Sequence, residues 1–185
     1  MNRVVDVGLA GAGLVLASPF LAAAVLATKL EDHGPVLYRQ TRVGKDGVDF
    51  QLLKLRTMVV GAETQGAGYA VDRGDPRITR VGRILRRTSI DELPQLWNVL
   101  RGEMSIVGPR PEMPFVVEHY DEWQRRRLDV KPGITGLWQI LGRKDLPMHE
   151  NLQYDFYYIR NRSLALDASI LLRTAGAVWS RRGAF

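Results

Sequence analysis

The hydrophobic pattern divides the chain into one long apolar block and a series of short mixed elements. From Val7 to Thr28 no side chain is charged, and about 20 apolar residues suffice for a helix to cross a bilayer. Three readings of this block compete: a cleaved signal peptide, a plain spanning helix, and a re-entrant helix that enters and leaves on one face. Arg3 and the alanines suit a signal peptide, while the length of the run and Asp6 at its start weigh against it. Ser18-Pro19 falls at the midpoint. Proline removes a backbone donor and kinks a helix, and the serine hydroxyl can satisfy the carbonyl so freed.

Residues 34–58 read as two extended runs around the turn Lys45-Asp46-Gly47. The Gly-rich polar stretch after them reads as a mobile loop. Residues 75–89 predict a helix: Ile78, Val81, Ile84 and Leu85 form one stripe, with Arg77, Arg80, Arg83 and Arg87 largely opposite. That basic face is either solvated or set against lipid phosphates. Residues 113–127, mixing Phe115, Tyr120 and Trp123 with arginines, predict another helix, suited to a membrane interface or to a core face plus a charged face. Residues 131–143 are turn-rich, and 151–163 and 164–182 read as helices, the last with a basic end.

Composition narrows the chemistry. A chain of 185 residues suggests one domain with its own core. Twenty-six Lys and Arg against 20 Asp and Glu give a net charge of +6, which suits anionic partners. With no cysteine, disulfides and thiolate metal sites are excluded. His33, His119 and His149 lack metal-ligand spacing.

Within RRTSIDELPQLWNVLRGEMSIVGPRPE, Asp91 and Glu92 stand side by side. Ser89 and Glu92 match a capping box, and acids suit a first helical turn. Pro94 complicates that reading, because the helix can instead begin there. Cations surround the pair in sequence: Lys54 and Arg56 end the hairpin, Arg86 precedes Asp91, and Pro109 and Pro111 restrict Arg110. A carboxylate among cations is expected to be ionised, and so able to bind Mg²⁺ or attack phosphorus. The pattern points to phosphoryl chemistry without naming a substrate.

GPVLYRQTRVG, LLKLRTM, DPRITRVGRILRRTSIDELPQLWNVLRGEMSIVGPRPE and KPGITGLWQI, in this order, resemble the bacterial sugar transferase family, the monotopic polyprenyl-phosphate phosphoglycosyl transferases. The resemblance covers nearly the whole chain and fits the short form of the family. It implies an α+β fold: a small, mainly helical domain with a β-hairpin, an N-terminal re-entrant membrane helix and amphipathic interfacial helices. Residues 1–30 would form the re-entrant helix, broken at Ser18 and Pro19. Residues 31–185 would form a catalytic domain on the cytoplasmic face of the bacterial inner membrane.

The implied reaction moves a sugar-1-phosphate from a nucleoside diphosphate sugar, usually a UDP-sugar, to polyprenyl phosphate, with release of UMP. It would be the first membrane step of exopolysaccharide, O-antigen, capsule or glycoprotein assembly. By resemblance Asp91 is the nucleophile and the Mg²⁺ contact, Glu92 completes the dyad, and Lys54, Arg86 and Arg110 meet phosphate. Membrane lipid is an expected partner, nucleic acid is not, and a homodimer is allowed. One departure is NRSLALD, residues 161–167, which has fewer aromatic residues than the family pattern. Two rivals remain open: a membrane-tethered basic binding module for nucleic acid or acidic lipid, and a direct glycosyltransferase that releases UDP.

Overall fold

In the computed structural model, residues 2–66, 68–69, 71, 74–141 and 151–179 are described. His149 and the basic end at Arg181-Arg182 lie outside them. Helix α1, Arg3–Asp32, starts where the Asn2 side chain accepts from the amide of Val4. It runs unbroken through Ser18-Pro19. Pro19 has no amide hydrogen to give the carbonyl of Val15, one turn earlier. The Ser18 hydroxyl donates to that same carbonyl at 2.8 Å, so the lost bond is replaced from the neighbouring side chain.

By length and composition α1 suffices to cross a membrane. Its faces differ sharply. Asp6, Ala10, Gly13, Ala17, Leu21, Ala24 and Thr28 recur every three or four residues on a buried or half-buried face. Val4, Val15, Leu16, Phe20, Leu26 and Leu30 are exposed.

Polar bonds hold both ends of α1 to the rest of the chain. Near the start, Asp6 accepts from the Ser105 hydroxyl at 2.9 Å and from the Ile106 amide at 2.8 Å, while Arg3 donates to the carbonyls of Val99 and Leu100. At the far end Glu31 accepts from the Arg80 amide at 2.7 Å, and Asp32 takes a two-pronged bond from Arg56 at 2.5 Å.

The expected hairpin forms from antiparallel strands β1, Leu37–Val43, and β2, Asp49–Leu55. Its turn holds Lys45–Gly47, with Asp46 in the left-handed region at φ 57°. Tyr38 pairs with Lys54, so both stand on one face of the hairpin.

Helix α2 is shorter than expected, Arg80–Thr88, capped by Thr79, whose hydroxyl accepts from the Gly82 amide. Gly82 allows α2 to lie directly on the backbone before it, since a Cβ there would come 2.0 Å from the Thr57 carbonyl oxygen. Arg77 is not on an exposed basic face. It is buried, paired with Asp75 at 2.6 Å, and donates to the carbonyls of Ala62, Gln65 and Gly68. Ala62, Gln65 and Gly68, in the stretch expected to be a mobile loop, thus share one guanidinium.

The acid pair does not form a capping box. Ser89 ends α2 in the left-handed conformation, with no side-chain cap bond, and Ile90–Glu92 make a 3-10 turn. Helix α3 is Gln95–Arg101, capped at Pro94, as the alternative reading had it.

Strand β3, Ser105–Val107, pairs in parallel with β4, Gly133–Thr135. Between them the expected helix over 113–127 is split into α4, Pro114–Val117, α5, Glu122–Arg125, and a 3-10 turn, Arg126–Asp129. The cause is local: Asp121 and Gln124 form a capping box that starts a new helix. The turn-rich segment supplies β4 and α6, Leu137–Leu141. Helices α7, Gln153–Asn161, and α8, Leu164–Trp179, follow as expected.

The fold thus mixes helices and strands. Its main core joins Ala10 of α1 to Phe50 and Leu52 of the hairpin, Val99 of α3, Met104, Ile106 and Val107 around β3, and Tyr158 and Ile170 of α7 and α8. A second cluster joins Ala24, Leu55 and Leu85.

Candidate active site

The β2 strand and α3 are locked together by Asn98, which is fully buried. Its side chain accepts from the Leu53 amide at 3.0 Å and donates to the Gln51 carbonyl at 2.8 Å and to Glu103 at 2.7 Å. It mimics a neighbouring strand and fixes the end of β2, where Lys54 stands, against the turn that carries Asp91 and Glu92.

On that frame the expected residues converge. Lys54 donates to Glu92 at 2.8 Å, and Arg110 approaches the same oxygen at 3.6 Å. Arg86 is held by the Thr57 hydroxyl at 2.8 Å and acts electrostatically on Asp91. Arg56 does not join them: it is taken up by Asp32 and by the carbonyls of Pro35 and Met58.

The cations favour Glu92 over Asp91. Among the described residues none lies within ion-pair distance of the Asp91 carboxylate. Asp91 is only 8% exposed. Burial, and then the Glu92 charge, push its pKa up to about 6, with Lys54 and Arg86 opposing. This corrects the sequence expectation of a carboxylate kept weakly basic by its cations. Desolvation outweighs them, although at pH 7 roughly nine-tenths of the groups remain ionised. The result is a carboxylate with more affinity for an electrophile than an exposed one.

Arg110 owes its position to a loop held chiefly through its carbonyls. Prolines 109 and 111 have no amide hydrogens to give. The Gly133 amide donates to the carbonyl of Pro109 at 2.8 Å, buried Arg127 to that of Arg110, Arg42 to that of Pro111 at 3.0 Å, and the Val43 amide to that of Glu112 at 2.9 Å. Arg127 is itself fixed by Asp155 at 2.6 Å and by the Tyr120 hydroxyl at 2.9 Å. Sequence reading missed Arg42, Asn98, Arg127 and Asp155, because each acts through a partner distant in the chain. Arg127 stands in the run Arg125–Arg127, and only its burial sets it apart.

We expect Arg110→Ala to cost turnover far more than Arg83→Ala. Arg83 is exposed on α2, whereas Arg110 is held toward Glu92. Loss of a charge-assisted bond to phosphate is worth about 1.5–3 kcal/mol, roughly 10- to 150-fold in kcat/KM. Equal small effects in steady-state assays would take Arg110 out of the site.

The profile of the bacterial sugar transferase family matches residues 1–181. Among curated proteins, the whole chain aligns at 45% identity with the UDP-glucose:undecaprenyl-phosphate glucose-1-phosphate transferase of Caulobacter vibrioides, covering 72% of that protein. It aligns at 40% identity with the UDP-N-acetylgalactosamine-undecaprenyl-phosphate N-acetylgalactosaminephosphotransferase of Aeromonas hydrophila, again over the whole chain but covering 45% of the relative. A third relative, the exopolysaccharide production protein ExoY of Sinorhizobium fredii, is 39% identical and 88% covered. Several relatives are much longer, and the chain spans only 35% to 45% of them. The chain belongs to the bacterial sugar transferase family.

Proposed function

We propose that the protein transfers a sugar-1-phosphate from a UDP-sugar to polyprenyl phosphate, with Asp91 as the nucleophile, in the first membrane step of glycoconjugate assembly. The observation that carries this reading is the division of labour in the acid pair: Glu92 is paired to Lys54 and Arg110, while among the described residues no cation lies within ion-pair distance of the buried Asp91 carboxylate. The activities for which the Caulobacter and Aeromonas relatives are named agree with it.

In the first half-reaction an Asp91 oxygen attacks the phosphorus that bears the sugar. A P–O bond forms, the bond to the UMP oxygen breaks, and UMP leaves with that electron pair. In the second, a phosphate oxygen of polyprenyl phosphate attacks the same phosphorus and expels the Asp91 carboxylate. One anhydride is exchanged for another, so the reaction needs no further energy source. Lys54, Arg86 and Arg110 neutralise phosphate charge, and Glu92 holds Lys54 and Arg110 at the site between substrates.

Mg²⁺ binds through one or two carboxylates together with substrate phosphates, and the Asp91 carboxylate with its neighbour Glu92 fits that donor set. When bound, the ion would neutralise diphosphate charge. The test is a screen of UDP-sugars with polyprenyl phosphate. Release of UMP is expected, whereas release of UDP, or no turnover with any donor, would overturn the reading.

We further propose that both ends of α1 lie on the cytoplasmic side, with its apolar outer face in the bilayer. The support is that Arg3 and Asp6 at one end, and Glu31 and Asp32 at the other, bond to the same body. A helix of this length measures about 45 Å if straight, so a crossing would draw one set of polar bonds through lipid. Single cysteines at Asn2 and at exposed Val48, in this cysteine-free chain, should both resist an impermeant thiol reagent in intact cells and react after permeabilisation. Labelling of Asn2 alone in intact cells would establish a spanning helix.

A further inference from the structure

A polar side chain close in the chain to Asp91 lacks the partner that its burial calls for: Gln95 is only 3% exposed, and its side-chain nitrogen has no hydrogen-bond partner among the described residues. Buried amides are almost always paired, so an orphan donor at this depth calls for a reason.

Its position supplies one. The backbone from Ile90 to Glu92 is a 3-10 turn, and Leu93 (φ −58°, ψ −33°) and Pro94 (φ −59°, ψ −19°) continue it in right-handed conformation into α3. Gln95 therefore stands a little over one turn beyond Asp91 along one continuous right-handed backbone. An amide donor and a carboxylate thus stand about a turn apart, yet no bond joins them. A phosphoryl group between them would meet the carboxylate at phosphorus and the amide at one of its oxygens.

We infer that Gln95 is a further catalytic residue, whose side-chain amide donates to a non-bridging oxygen of the phosphoryl group that Asp91 receives. The inference rests on the transfer reaction proposed above. The donor is preorganised by burial, and it meets negative charge where phosphorus is transferred. No bond is made or broken by Gln95 itself.

The test uses the full chain in detergent or bilayer discs, with parent and variants assayed side by side for UMP release. Gln95→Leu removes the amide at similar volume. We expect kcat to fall on the order of 10²-fold, the loss typical of a single oxyanion donor, with KM changed only a few-fold. The melting temperature should hold or rise, because an unpaired buried donor has gone. Gln95→Glu keeps the shape but presents an acceptor, and above neutral pH it should be at least as impaired, which serves if the leucine variant does not fold.

An active parent with either folded variant near parental kcat would overturn the role. Parental kcat with a lowered melting temperature would mean that Gln95 is structural, its nitrogen bound to a trapped water. If the parent itself releases no UMP, the proposed reaction fails, and Gln95 loses its role with it.

Discussion

Asp91→Asn is expected to abolish UMP release and, at the same time, to make the protein more stable at neutral pH. An amide keeps the shape of the carboxylate but is a very poor nucleophile, so turnover should fall to background. The stability gain follows from the direction of the pKa. Folding raises the Asp91 carboxyl from 3.8 to about 6, chiefly by burial and then by Glu92. The folded state therefore holds the proton more tightly than the unfolded chain, and stability falls as pH climbs from roughly 4 to 6. Above pH 6 the full penalty of the buried charge persists, on the order of 2–3 kcal/mol. An uncharged asparagine escapes that penalty but still buries an amide, so a net gain of about 1–2 kcal/mol is expected at pH 8. Thermal melts at pH 8 and pH 4 check this: the advantage of the variant should be large at the first and nearly gone at the second. Equal melting temperatures at pH 8 would mean that Asp91 is well solvated. In the parent, kcat/KM should lose activity as pH falls through about 6, because the nucleophile is then protonated.

What the sequence disclosed and what it withheld divide along physical lines. Lys54, Arg86, Glu92 and Arg110 could be singled out as candidates because each lies in a short run with its own local signature, and the fold sets Lys54 and Arg110 beside Glu92. The hairpin was legible because Asp46-Gly47 is a local turn signal, and the long apolar helix because no charge interrupts it. The groups that hold these pieces in place were not legible. Asp6 pairs with Ser105, Asn98 with the Leu53 amide and Arg127 with Asp155, and nothing within a few residues of either partner announces the other. Charge counting also misled in two places. Arg77 and Arg127 each sit in basic surroundings that suggest an exposed face, yet both are buried, Arg77 against the carbonyls of Ala62, Gln65 and Gly68 and Arg127 against Asp155, the Tyr120 hydroxyl and the Arg110 carbonyl. The proton affinity of Asp91 was misjudged for a related reason: neighbouring cations are visible in a sequence, but the loss of water around a carboxylate is not.

Asp155→Ala should be among the most damaging substitutions outside the reacting groups. The Arg127 and Asp155 side chains are both 2% exposed and lie 2.6 Å apart. Burial alone would raise the Asp155 carboxyl, and the Arg127 charge opposes that. Removing Asp155 takes the carboxylate away from a buried guanidinium, and breaking a buried ion pair in this way typically costs about 3–5 kcal/mol, a large share of the stability of a small domain. The Arg110 carbonyl would also lose a firmly placed donor, so activity should fall in whatever protein still folds. The double variant Arg127→Met, Asp155→Leu separates the two effects. Two apolar side chains of suitable size can replace a buried ion pair with little loss of stability. The double variant should therefore recover most of the melting temperature. It should not recover turnover, because nothing in it donates to the Arg110 carbonyl, and the loop that aims Arg110 at Glu92 is held by one bond fewer. Recovery of both in melting and UMP-release assays would mean that the pair only fills space and that the Pro-Arg-Pro loop holds its shape without it.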